Sequence, residues 1–168
     1  TDQGTLYFPA GKYRLNSRVT LSRVGSANRA GWVIKGDGAS TKFNCYATNG
    51  AFQIATKGRD NYITVQDLCI HPQAQINGVA LELQNGNTTD GNVAPSGGSN
   101  QTYGCQIINV SIIPDVAKPQ KGEIQDFLNT PFFRSSIRLV NYGRPRLSRV
   151  VCWNYAERSN YSWDNPTG

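Results

Sequence analysis

Apolar residues in the first part of the chain occur in short runs whose lengths suit β-strands rather than helices. Apolar positions alternate with polar ones in several of these runs, which is the pattern of a strand with one buried face. Turn-forming residues follow the runs, with Pro9 and Gly11 after the first and Gly36 after the last. The one helical spacing lies within 123–128. The strand-like runs are Thr5–Phe8, Lys12–Leu15, Arg18–Ser22 and Trp32–Lys35.

A seven-residue pattern then recurs about 40 residues apart. Its three copies are Thr64–Ile70, Gln106–Ile112 and Arg146–Cys152. When the copies are superposed, Asp67, Asn109 and Arg149 occupy one column. The column that follows is apolar and contains Leu68, Val110 and Val150, and the column after next contains Ile70, Ile112 and Cys152. Self-similarity at such an interval is typical of repeat architectures, in which each copy stacks on the next.

A second repeated pattern, apolar-polar-apolar, lies between these copies. It occurs at Phe52–Ile54, Leu81–Leu83 and Ile137–Leu139. Because side chains alternate between the two faces of a strand, the apolar members are expected inside the protein. The polar members, Gln53, Glu82 and Arg138, are then expected to form a ladder along the outside.

These repeats favour one fold class over another. A parallel sheet usually needs helical crossovers, and this sequence has few helical candidates. In a solenoid the crossover is the rest of the coil, whereas an antiparallel sandwich would not need the repeats. We therefore predict an all-β solenoid of parallel strands with few or no helices. Its parts are an opening coil (1–43), repeated coils (44–153) with polar insertions at 84–104 and 114–131, and a C-terminal extension (154–168).

Composition and charge restrict the classes of molecule that this protein is expected to bind. The chain has 17 Gly, 8 Pro and no Met, and it lacks the run of roughly 20 apolar residues that a membrane span requires. Its net charge of +6 favours anionic partners such as acidic glycans, phosphorylated polysaccharide or nucleic acid. The Lys and Arg residues are scattered and no nucleic-acid motif accompanies them, so nucleic acid is the least favoured of these.

The cysteines and the single histidine do not predict a metal centre. Cys45, Cys69, Cys105 and Cys152 form no CxxC pair and have no cluster of histidines beside them. Free thiols are favoured, and the alternative, if the protein is secreted, is that the four cysteines form two disulfides. His71 follows an apolar run and precedes Pro72, so we expect it at a strand end, partly exposed and incidental. No carboxylate cluster suits Ca²⁺, so no cofactor is expected.

The opening segment Gly4–Leu15 (GTLYFPAGKYRL) resembles the first coil of the pectate-lyase-like β-helix proteins. Trp32–Thr41 and Ile63–Ile70 are similar to later segments of that family, and the likeness extends over 4–83 and, more faintly, 105–153. The resemblance implies an all-β, right-handed parallel β-helix, with this chain as one part of a longer β-helix. It specifies the activity less closely, because pectinases, glycan epimerases and bacteriophage tailspikes share this signature. Tailspikes of this kind are homotrimers.

Glycoside hydrolysis requires two carboxyl groups at a defined separation, and no column of the repeats stacks two acids. Glu82 and Asp126 are the catalytic candidates, with a surface pair between Glu82 and Arg138 as the alternative for the former. Asp67 is interpreted as a hydrogen-bonded corner residue and Asp37 as a turn residue.

The last quarter of the chain combines aromatic and cationic residues. Aromatic faces stack on sugar rings, and Arg binds carboxylate or phosphate through two parallel hydrogen bonds. The same mixture also suits a trimer interface. The candidate glycan-binding residues are Gln53, Arg138, Trp153, Tyr155 and Arg158.

The sequence thus favours a segment of a bacteriophage tailspike in the virion tail. We expect the full-length protein to be a homotrimer, attached to other tail proteins, that binds and degrades bacterial surface polysaccharide, either capsule or O-antigen. The lack of a signal-peptide pattern agrees with this origin. One alternative is a non-catalytic structural or receptor-binding virion module. The other is a secreted, extracellular pectinase-like lyase or hydrolase.

Overall fold

The described residues fold almost entirely into β-strands, as the sequence predicts. A computed structural model describes residues 2–23, 30–56, 62–85, 104–115, 131–140 and 145–152. Within them one 3₁₀ turn, at Gly38–Ser40, accompanies the strands. No helix of the described part is long and apolar enough to cross a membrane. The stretch 116–128, whose helical spacing at 123–128 makes it the one candidate for a short helix, lies outside the described residues. The strands are β1 (Asp2–Tyr7), β2 (Gly11–Leu15), β3 (Val19–Arg23), β4 (Ala30–Lys35), β5 (Thr41–Cys45), β6 (Gly50–Thr56), β7 (Tyr62–Pro72), β8 (Gln75–Asn85), β9 (Gln106–Ile112), β10 (Phe132–Val140) and β11 (Arg146–Cys152).

The strands form two sheets in which every described pairing is parallel. In the seven-stranded sheet, β7 pairs with β4 through its first half and with β5 through its second half. Strand β1 pairs with β4, β2 pairs with β5, and β9 lies between β7 and β11. The four-stranded sheet has the order β10-β8-β6-β3. The chain therefore visits the two sheets in alternation, and each visit adds a strand beside the previous one.

The register of the first sheet confirms the predicted columns. Leu68 is opposite Val110, and Val110 is opposite Val150. The residues just before them, Asp67, Asn109 and Arg149, consequently share one column, and all three have positive φ angles of 52–58°. This column marks the bend that divides β7, β9 and β11 into two halves. In the two earlier passes the chain bends through short connections instead, between β1 and β2 and between β4 and β5.

The core lies where the two sheets face each other, and it is built from the alternate residues that the sequence pattern assigns to the inside. Phe43 of the first sheet meets Phe52 of the second with ring centroids 5.0 Å apart. Successive strands place apolar residues over one another, which removes their side chains from water and provides the main favourable term in folding. The stacked, fully buried members include Ile34, Val65 and Ile107, then Phe43, Ile70 and Ile112, and in the second sheet Ile54 and Leu83.

Candidate functional site

One polar column crosses all four strands of the second sheet. Thr20 on β3 is opposite Gln53 on β6, Gln53 is opposite Glu82 on β8, and Glu82 is opposite Arg138 on β10. The neighbours of Gln53 along its strand, Phe52 and Ile54, are buried in the core. The polar column therefore occupies the opposite face of the sheet, and the predicted ladder of Gln53, Glu82 and Arg138 is confirmed.

The exposure of Glu82 differs from the expectation. Only 5% of this residue is accessible to solvent, although its side chain belongs to the outward face, so the prediction of an exposed ladder is wrong at this position. Long polar side chains explain the burial in part, because Gln84 on the same strand, Arg138 on the adjacent strand and Arg18, just before β3, all reach the Glu82 carboxylate.

Two guanidinium groups flank the Glu82 carboxylate. Nη1 of Arg18 lies 3.8 Å from Oε2, and Nη1 of Arg138 lies 3.8 Å from Oε1. Nε2 of Gln84 donates a hydrogen bond to Oε1. The predicted pair between Glu82 and Arg138 is thus confirmed, while Arg18 is a second ionic partner that the sequence reasoning missed. A signal for it was present, since the period of two places Arg18 on the same face as Thr20.

The two arginines differ in their exposure. The side chain of Arg138 is 62% exposed, whereas that of Arg18 is 26% exposed. Nε of Arg18 is buried and has no hydrogen-bond partner. A buried donor without an acceptor is unfavourable, so the ion pair with Glu82 does not satisfy all the N–H groups of Arg18.

Chemically, this arrangement is better suited to binding than to proton transfer. Glu82 is surrounded by cations and an amide, and no other described carboxylate shares its column. A hydrolase would need a second carboxyl group at a defined distance. Asp126, the other catalytic candidate, lies outside the described residues, so the catalytic pair stays a prediction. Trp153, Tyr155 and Arg158 lie outside them as well, and of the glycan-binding candidates the structure describes Gln53 and Arg138.

The remaining acidic candidates have structural contacts. The hydroxyl of Tyr7 donates to both carboxylate oxygens of Asp37, at 2.7 and 2.8 Å, and the backbone N–H of Ala10 donates to one of them at 2.9 Å. The hydrogen bond to Asp37 raises the pKa of Tyr7. Asp67 accepts hydrogen bonds from Asn109 at 2.8 Å and from Gln66 at 3.0 Å. The interpretations of Asp37 as a turn residue and Asp67 as a hydrogen-bonded corner residue are confirmed.

His71 lies near the end of its strand, as predicted, but it is buried rather than partly exposed. It is 4% exposed and lies inside β7, one residue before the strand ends. Its Nδ1 atom is 2.8 Å from the carbonyl oxygen of Ile113, in the segment that follows β9. The expected partial exposure is wrong because β9 and this segment continue alongside β7. Among the described residues, no group of three or more His, Cys, Asp or Glu side chains is arranged to hold a metal ion.

All four cysteines are free thiols, which is the state that the sequence favours. Cys45, Cys69 and Cys105 are buried, and Cys152 is exposed. Burial raises the pKa of Cys45, Cys69 and Cys105, that of Cys105 to about 11. Partial desolvation also raises the pKa of Cys152, although this residue is exposed. A raised pKa reduces the thiolate fraction near neutral pH, so none of these thiols resembles an activated nucleophile.

Comparisons of this chain with protein-family models, with curated proteins and with solved structures give no match.

Proposed function

We propose that this chain is a segment of a right-handed parallel β-helix, of the bacteriophage tailspike kind, that binds bacterial surface polysaccharide. The observation that carries the proposal is the polar column of Thr20, Gln53, Glu82 and Arg138, which crosses four parallel strands on the face opposite the core. A column of this kind offers hydrogen-bonding groups at regular intervals along one direction.

The strand arrangement supports the β-helix part of the proposal. The chain passes through the two sheets in turn, and every described strand pairing is parallel. The bend at Asp67, Asn109 and Arg149 repeats in register from one pass to the next. In a solenoid each pass is one coil that contacts only its neighbours, which matches the order in which these strands pair.

The dimensions of the column support an extended ligand. Neighbouring strands lie about 4.8 Å apart, so four strands give a column about 14 Å long. This length suits a short stretch of an extended oligosaccharide. Amide and guanidinium groups such as those of Gln53 and Arg138 supply hydrogen-bond donors for sugar hydroxyl and ring oxygens. The ligand class is a capsule or O-antigen glycan, and the assembly is a homotrimer attached to other tail proteins of the virion.

Degradation of the glycan is the further part of this proposal, with Glu82 and Asp126 as the candidate carboxyl groups in the full-length protein. The alternative is a non-catalytic receptor-binding module. The cationic surroundings of Glu82 favour that alternative for this face, because they hold its carboxylate in ion pairs. Incubating the full-length protein with host polysaccharide and measuring new reducing ends, or unsaturated ends by ultraviolet absorbance, separates the two. Product formation that Glu82→Gln abolishes would favour the enzyme.

Binding itself is tested by titrating the chain against purified capsule and O-antigen polysaccharides in a calorimeter. We expect Gln53→Ala to weaken binding severalfold, because it removes two donors and an acceptor from the middle of the column. The matched control is Gln66→Ala, which removes the same groups from the first sheet. If no bacterial polysaccharide binds, or if both variants weaken binding equally, the proposed binding face is wrong.

A further inference from the structure

The centre of the polar column contains more positive than negative charge. Arg18 and Arg138 both contact the carboxylate of Glu82, so this trio, named here the arginine cluster, has a formal charge of +1. The whole chain is also cationic, with a net charge of +6. A ligand that carries negative charge is therefore attracted both to the protein and to this part of its surface.

The hydrogen-bonding capacity of the arginine cluster is largely unused within the cluster. At 3.8 Å, the two contacts to Glu82 are ion pairs but too long for hydrogen bonds. The Nε atom of Arg18 is buried without a partner, and the side chain of Arg138 is 62% exposed. Both guanidinium groups are thus held in place electrostatically while keeping donors that an oxygen-rich anion would occupy.

We infer that the arginine cluster binds an oxyanion of the glycan, namely a carboxylate, sulfate or phosphate group, and that the polysaccharide is consequently acidic. This inference rests on the proposed glycan-binding function. The planar guanidinium of Arg138 donates two parallel hydrogen bonds to the oxyanion, a geometry that a neutral hydroxyl does not match. Arg18, whose side chain is 26% exposed, adds a second positive charge beside the anion.

Glu82 is a positioning residue in this arrangement. Two guanidinium groups brought close together repel each other, and the carboxylate between them offsets this repulsion. Gln84 fixes the carboxylate by donating to Oε1, and the low exposure of Glu82 protects the ion pairs from screening by salt. The carboxylate thereby holds Arg18 and Arg138 together without occupying all their donors.

The test measures the affinity of the full chain for four immobilised polysaccharides: polygalacturonate, heparin, teichoic acid and dextran. The first three carry carboxylate, sulfate and phosphate groups respectively, and dextran is neutral. We expect at least one acidic polysaccharide to bind, with the preferred one identifying the oxyanion, and dextran to bind at least tenfold more weakly. Arg138→Gln should lower the affinity for the preferred polysaccharide about tenfold, the effect of losing one charge-assisted bidentate contact.

The matched control is Arg134→Gln. Arg134 lies on the same strand, is exposed, and donates to Asn77 at 3.3 Å rather than to the cluster. Arg134→Gln removes the same charge as Arg138→Gln but at a position outside the cluster, so we expect it to lower the affinity less than twofold. Arg138→Lys keeps the charge but not the planar fork, and should give an intermediate loss. Equal losses for Arg138→Gln and Arg134→Gln would show diffuse charge attraction and overturn the inference.

The inference and the proposed function can fail separately. If dextran binds as well as the acidic polysaccharides, glycan binding stands and the oxyanion assignment is wrong. If no polysaccharide binds, inorganic sulfate is titrated while the Nε–Hε resonances of Arg18 and Arg138 are followed by NMR. Saturable chemical-shift changes that are absent from Arg138→Gln would support the oxyanion site and contradict the proposal that its ligand is a glycan. The absence of shifts would reject both.

Discussion

Three residues at the bend of the first sheet have left-handed backbone conformations, and they differ in how well their side chains tolerate it. Asp67, Asn109 and Arg149 have φ angles of 58°, 53° and 52°. Asp and Asn are common in this region because their short polar side chains tolerate it, and Asn109 also donates a hydrogen bond to Asp67 on the neighbouring strand at 2.8 Å. Arg149 has a longer side chain that lacks this advantage, so its conformation is the most strained of the three.

Arg149→Gly should therefore stabilise the protein. Glycine adopts positive φ without a Cβ penalty, and we expect a gain of about 0.5–1 kcal/mol in the free energy of unfolding. The measurement is a urea titration followed by circular dichroism. The control is Arg146→Gly, at the start of the same strand, where glycine has no such advantage and should destabilise the protein by about 0.5–1 kcal/mol. Destabilisation by both substitutions would contradict the assignment of strain to position 149.

At the scale of the element, the pairing of β6 with β8 depends on two glycines. Gly50 begins β6 with a φ of 112°, and a Cβ atom there would lie 2.0 Å from the carbonyl oxygen of Val79. Gly78 in β8 is equally close to the backbone of the segment before β6, with its Cβ position 2.3 Å from the carbonyl carbon of Asn49. Because Gly50 and Gly78 have no Cβ atoms, the backbones of β6 and β8 can lie side by side at normal strand spacing. These contacts come directly before the positions of Gln53 and Glu82 in the two strands.

Gly50→Ala should consequently destabilise the protein by about 3 kcal/mol or more. The alanine must adopt a disfavoured positive φ, and the backbone of β6 or β8 must also move to make room for its Cβ atom. Gly38→Ala is the matched control. Gly38 also has a positive φ, of 69°, but a Cβ atom there would meet nothing within 4 Å. It should cost only about 1 kcal/mol. Thermal unfolding of both variants measures the difference, and equal losses would mean that the close approach to Val79 is unimportant.

At the scale of the whole molecule, the sequence predicts the strands and their columns well because both depend on alternation. The period of two determines which side chains face inward, and the repeated segments determine which strands pair. Leu68, Val110 and Val150 therefore stack as the sequence predicts. The same reasoning correctly places Gln53, Glu82 and Arg138 in one column.

The surroundings of particular polar residues are less predictable. Glu82 is buried because Arg18, two strands away, reaches across the sheet to it, and alternation does not report the reach of a long side chain. His71 is buried because a segment that follows a different strand passes beside it. Such contacts depend on the path of the chain after the strands have paired. Periodicity alone therefore identifies the face of a residue but not its exposure.

The buried thiols make the stability of the whole fold sensitive to alkaline pH. Folding raises the pKa of Cys105 from 9.0 to about 11 because the buried thiolate loses its hydration. The native state therefore retains the thiol proton at pH values where the unfolded chain releases it. This contribution to stability is fully present below pH 9 and is lost as the pH rises towards 11. Cys45 and Cys69 act in the same direction, since burial raises their pKa values too.

Urea unfolding at several pH values between 8 and about 10.5 measures this effect against Cys105→Ala. Lysine and tyrosine titration is common to both proteins, so the difference between them isolates the thiol. We expect the wild type to lose about 1–2 kcal/mol more than the variant by about pH 10.5. Cys152→Ala is the control, because Cys152 is exposed and its removal should leave the pH dependence closer to that of the wild type. If Cys105→Ala and the wild type lose stability in parallel, ionisation of Cys105 is not coupled to folding.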